Sequence, residues 1–106
     1  MNVKPVVLRD QARRDIEDAV EYYLAEAGSA VALAFIDSVE DAQRTIGERP
    51  AVGSPRYAHE LGIPGLRSRS VVRFPYLIFY VDREEEVDVW RVLHAARDIP
   101  ARMQEE

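Results

Sequence analysis

Five side chains in the last third of the chain have the types to hold an anion or move a proton: Arg67, Arg69, Arg73, His94 and Arg97. Arginine stays charged at any ordinary pH and offers a planar fork of donors that matches a carboxylate or a phosphate. Histidine titrates near neutrality. One use of such a set is to grip an acidic partner. Another is to hold a nucleic-acid phosphate. The plain alternative is a solvated strand face, where surface ion pairs are common and individually weak, with His94 a hydrogen-bonding residue at a strand end.

Other chemistries find no support in the residues. There is no cysteine, and Ser29, Ser38, Ser54, Ser68 and Ser70 stand in no nucleophile-elbow motif. His59 and His94 are far apart and lack metal-site spacing. No glycine-rich loop matches a phosphate or dinucleotide fingerprint, so no metal and no cofactor are expected. The formal net charge of −5 argues against broad binding to nucleic acid, which favours basic proteins. The lack of cysteine and of any membrane-length apolar run, and an opening too short for a signal peptide, predict a cytoplasmic protein. At 106 residues one domain is expected over 1–106.

The elements that must position these residues follow from periodicity. Val3 to Leu8 is β-branched and reads as a strand, with Pro5 suited to an edge. Ala12, Ile16, Ala19, Val20, Tyr23, Leu24 and Ala27 recur at spacings of three and four, which predicts an amphipathic helix ended by Gly28. Ser29 is the expected cap of a second helix, with Ala32, Phe35, Ile36, Val39, Ala42 and Ile46 on one side and Gly47 and Pro50 at its end. With almost no linker, the two helices form an antiparallel hairpin. Residues 51–65 carry Gly53, Pro55, Gly62, Pro64 and Gly65 and read as a loop.

From Leu66 the period becomes two, which sends Arg67, Arg69, Val71 and Arg73 to one side of a strand running to Phe74. Tyr76 to Val81 is apolar throughout and reads as a central strand; Val87 to Leu93 is the last long one, with Trp90 on the same parity as His94. Residues 95–103 are a short helix or an extended tail. The class is α+β, order β-α-α-β-β-β, a helical hairpin on one face of a mainly antiparallel sheet. Two helices roof one face only. Tyr76, Ile78 and Tyr80 oppose Leu77, Phe79 and Val81, so the second set needs cover from the C-terminal segment, a second copy or a foreign amphipathic segment, and a foreign peptide is the cover expected. On the first helix Tyr22 and Tyr23 are adjacent; Tyr22 is the one expected to face a partner.

This order, with Gly65-Leu66-Arg67, the stretch Arg73 to Tyr80 (RFPYLIFY), Val92-Leu93-His94 and Arg97-Asp98-Ile99-Pro100, resembles the RelE/ParE toxin superfamily of bacterial toxin–antitoxin modules, and its ParE branch in particular. The resemblance implies a toxin neutralised by an antitoxin whose amphipathic tail wraps it, with Tyr22, Val71, Tyr76, Ile78 and Tyr80 as the antitoxin-facing set. In the ParE branch the implied target is DNA gyrase, with Arg67, Arg69, Arg73, His94 and Arg97 as the contact cluster, a ParD-like antitoxin, and no direct DNA contact by the toxin alone. In the RelE branch the implied activity is ribosome-dependent mRNA cleavage by 2′-hydroxyl attack, which needs a base, cations on the phosphate and an acid for the leaving oxygen; the resemblance then implies His94, Arg97 and Arg67 as the residues that carry it. Met103 stands where cleaving relatives carry a late Tyr, and Pro75-Tyr76-Leu77 lacks their arginine, which favours the branch that does not cleave. An inactive module that only captures its antitoxin is a third reading.

Overall fold

The computed structural model describes residues 3–96 and 99–103. Strand β1 (Val6–Leu8) leads into helices α1 (Asp10–Ala27) and α2 (Ser29–Glu48). A 3-10 turn (Pro50–Val52) and helix α3 (Arg56–Leu61) precede strands β2 (Leu66–Ser70), β3 (Tyr76–Asp82) and β4 (Val87–His94); helix α4 (Ile99–Met103) follows. The sheet order is β1-β4-β3-β2, with β1 parallel to β4 and the other pairs antiparallel. The expected class and element order hold. The stretch read as loop also contains α3.

Gly28 joins the two helices at φ 92°, a value disfavoured for residues with a Cβ, and donates back to the carbonyls of Tyr23 and Leu24. It also occupies the cap position expected for Ser29, which is instead the first residue of α2. Both helices lay their stripes on the sheet. Ala12 and Ala19 of α1, and Phe35, Val39, Ala42 and Ile46 of α2, share one core with Val71, Ile78, Tyr80, Val87, Val89 and Val92. The alanines have no bulk to hold α1 away from the strands. Leu24 and Ala27, counted on the buried stripe by their spacing, are exposed because α1 packs through its earlier turns.

The second face is also covered, and by this chain itself. Leu66, Phe79, Val81 and Leu93 are buried with Ile99 and Met103 of α4, and Tyr57, Ala58, Leu61, Ile63, Leu77 and Trp90 pack against them. The expectation that a foreign peptide must complete the sheet is therefore corrected. Although short, α3 and α4 meet the same apolar stripe from two sides, and periodicity cannot show a five- or six-residue helix inside a Gly- and Pro-rich stretch.

A bulge changes the parity of β4. Phe79 pairs with Arg91 but Tyr80 pairs with Val89, leaving Trp90 as the extra residue. Val89 and Val92 consequently both face the helical hairpin, whereas Trp90 packs on the other face. Simple alternation would put Trp90 and His94 on the same side.

Candidate functional site

Strand β1 accompanies β4 only along Val87–Val89. Past that point the edge of β4 is open to α1, and a cleft of about 570 Å3 lies there, lined by Asp15, Asp18 and Tyr22 of α1, Tyr76 of β3, His94 of β4 and Arg102 of α4 among others. Its floor is an ion pair. Asp15 accepts from Arg91 Nε (2.8 Å) and Nη2 (2.9 Å) and from the Val92 backbone N–H (3.0 Å), so one carboxylate neutralises a buried guanidinium and satisfies an exposed strand edge. Arg91 Nη1 also donates to the Arg102 carbonyl at 2.5 Å, which ties α4 to the same point. Sequence reading missed this pair because 76 residues separate its members. One signal was present: Asp15 lies three after Ala12 and four before Ala19, on the edge of the buried stripe.

His94 sits at the cleft mouth. Its Nδ1 accepts the Ala96 N–H at 3.0 Å, which leaves the neutral ring its proton on Nε2. The ring stands edge-on to Tyr76, centroids 5.3 Å apart. In this arrangement the imidazole presents a donor, while the lone pair that a general base needs is engaged. Tyr22 and Tyr23 are also edge-on, and Tyr23 packs on Phe74 and Phe35. Burial, then the neighbouring phenols Tyr76 and Tyr22, push the Tyr23 hydroxyl above its ordinary range, so it stays neutral. The cleft is amphipathic, with aromatic walls and charged ends.

The expected contact cluster is not one cluster. Arg67 pairs across from Tyr80 and His94 from Tyr76, which sets them four residues apart along β3 and two strands across, roughly 16 Å by backbone spacing. Arg67 holds a loop in place, its Nη1 donating to the carbonyls of Gly53 (2.7 Å) and Ala51 (3.2 Å). The same loop is held by the buried Tyr80 hydroxyl, which accepts the Gly53 N–H at 2.8 Å and donates to the Pro50 carbonyl at 2.6 Å. Burial raises the Tyr80 hydroxyl, against the opposing pull of the Gly53 N–H, Arg67 and Arg69. Arg69 follows on β2 with a partly exposed side chain, opposite Ile78. Arg73 is not on the strand as expected; β2 ends at Ser70, and Arg73 is exposed in the β2–β3 turn. Arg97 lies outside the described residues.

The expected antitoxin-facing set also divides. Val71, Ile78 and Tyr80 are buried beneath the hairpin and give no surface. Tyr22 is 58% exposed and Tyr76 partly so, and both line the cleft.

A family model described as the ParE toxin of the type II toxin–antitoxin system parDE matches residues 6–99. The chain belongs to the ParE toxin family. The match takes in every strand and both long helices of this ParE-family chain. Its fold is similar to that of a solved chain from the chromosomal ParDE toxin–antitoxin system of P. aeruginosa, with a TM-score of 0.73 at 16% identity over 87% of this chain and 96% of the other. No curated protein matches it. Among the described residues no helix is long and apolar enough to cross a membrane, and no group of acidic or imidazole side chains could hold a metal ion.

Proposed function

We propose that this chain is the toxin of a type II module that acts on DNA gyrase by protein–protein contact, without catalysing a reaction, and is held inactive in the cytoplasm by a ParD-like antitoxin. The observation that carries the reading is the ParE family match over residues 6–99. The side-chain geometry supports contact over cleavage. Arg67 is engaged by backbone carbonyls, His94 has its Nδ1 lone pair occupied, and the two are separated by the width of two strands. Met103, which replaces the late Tyr of cleaving relatives, is buried in the second core. The antitoxin's amphipathic tail has a natural bed in the cleft between α1 and the open end of β4, with Tyr22 and Tyr76 as its aromatic contacts. Apolar contacts flanked by charge are what an amphipathic segment seeks.

Expression alone should arrest growth, and co-expression of the cognate antitoxin should restore it. The purified toxin should inhibit supercoiling by gyrase and leave mRNA intact on translating ribosomes. Site-specific mRNA cleavage on ribosomes overturns the gyrase reading in favour of the RelE-like one. Tyr22→Asp should weaken antitoxin binding at least about 10-fold while toxicity persists; an unchanged affinity would remove the antitoxin from the cleft.

A further inference from the structure

Most arginines of this acidic chain have partners. Arg9 and Arg83 hold Asp88, Arg91 holds Asp15, Arg13 holds Asp10, Arg44 holds Asp41, and Arg67 holds backbone carbonyls. Among the described residues the side chains of Arg49, Arg69 and Arg73 make no hydrogen bond or ion pair, in a protein with 19 acidic side chains to choose from, and of these three Arg73 is set apart by its backbone. It is also the one described residue other than glycine with positive φ, at 75°. A residue with a Cβ bears a conformational cost there that glycine or asparagine would lower. The backbone around it is firmly set: Val71 N–H bonds the Tyr76 carbonyl, and Phe74 N–H bonds the Val71 carbonyl. Phe74 is wedged against Tyr23 and Phe35. This turn therefore projects from a rigid base. Beside Arg73, Val72 is 67% exposed, and Arg69 lies on the strand behind.

We propose that the β2–β3 turn is a docking tip on which Arg73 grips a carboxylate of a protein partner while Val72 fills an apolar contact beside it. The strained backbone is retained for the side chain it aims. A guanidinium fork suits a carboxylate, and arginine beside an exposed apolar side chain is the make-up of a protein interface. Nucleic acid fits less well. Its affinity comes from many cations and a positive field, whereas this chain is net negative and sets an exposed valine next to Arg73. Within the proposed function, on which this rests, the tip belongs to the toxin's target and the α1–β4 cleft to the antitoxin.

The test compares wild type, R73G, R73K and V72S in three measurements: thermal unfolding, growth arrest on expression, and affinity for the cognate antitoxin. R73G relieves the backbone cost and unfolds roughly 4 °C higher, yet arrests growth at least 10-fold less well. R73K, which keeps the charge but loses the fork, falls between, and V72S weakens arrest without loss of folding. Antitoxin affinity stays within about 2-fold in all of them. An R73G variant as toxic as wild type overturns the proposal, as does an equal loss of antitoxin binding. Binding of wild type to a 20-base-pair DNA duplex that R73G abolishes overturns the carboxylate partner in favour of phosphate. A wild-type protein that arrests growth but leaves gyrase untouched rejects the gyrase reading alone, because the R73G comparison is read on growth.

Discussion

Asp15 accepts three hydrogen bonds where water is nearly shut out, its side chain 9% exposed and that of Arg91 2% exposed. Removing one partner of such a pair strands the other charge, a far greater loss than any surface bridge could cause. Asp15→Ala should destabilise by about 3 kcal/mol in urea unfolding. Replacing both members, Asp15→Leu with Arg91→Met, should recover most of that loss. At Gly53 the issue is space: a Cβ would stand 2.4 Å from the Tyr80 hydroxyl and 2.9 Å from its ring. Gly53→Ala should cost about 2 kcal/mol by pushing the ring aside. That cost should shrink in a Tyr80→Phe background, a coupling that a double-mutant cycle reads directly. The residue next to Pro50-Ala51-Val52 is thus a glycine because a tyrosine hydroxyl occupies the place of its side chain.

At the scale of elements, β1 has only three residues, and its seam with β4 depends on Asp88. That carboxylate accepts from Arg9 Nε and Nη2, from Arg83 and from Trp90 Nε1, and the Arg9 guanidinium lies 4.1 Å over the Trp90 ring. Trp90 stands two residues from Asp88 on the same face of β4, which puts its indole N–H in reach of this carboxylate. Burial works to raise the Asp88 carboxyl, but hydrogen bonds from Arg9, Trp90 and Arg83 outweigh it and hold the carboxyl below its ordinary range. A folded-state pKa below the unfolded one adds stability that is present above the unfolded value, about 3.9, and lost as pH falls through the folded value. Asp88→Asn should therefore lie below wild type by about 1 kcal/mol above roughly pH 5. The two curves should converge as pH falls through the folded value. A constant gap at all pH values would assign the loss to packing instead.

Across the whole molecule the sheet is a layer between two cores. The hairpin of α1 and α2 roofs one face, while α3 and α4 close the other with Leu61, Ile99 and Met103. The second roof is small, and Arg91 anchors it through the Arg102 carbonyl to the same carboxylate that anchors α1. Ile99→Asp places a charge against Leu66, Phe79 and Leu93. It should lower stability by about 3 kcal/mol. It should also raise the fluorescence of a dye that binds exposed apolar surface, and unchanged fluorescence and stability would remove α4 from the core. The β2–β3 turn that carries Arg73 adjoins one end of the cleft, whose lining includes Pro75 and Tyr76.

The fold was legible in the sequence wherever a pattern was local and long. The helical stripes of α1 and α2, the glycine between them, and the alternation that begins at Leu66 each depend on neighbours within a few residues, so periodicity reports them. The arginines and His94 were also visible as types. Their grouping was not, because strand register decides it: β3 lies between Arg67 and His94, and the early end of β2 puts Arg73 in a turn. Only the tertiary structure paired Asp15 with Arg91, slipped the parity of β4 at Trp90, and closed the second face with two helices too short to carry a period. In each of these the decisive partner is distant in the chain, and a sequence carries no record of which distant side chains share one low-dielectric space.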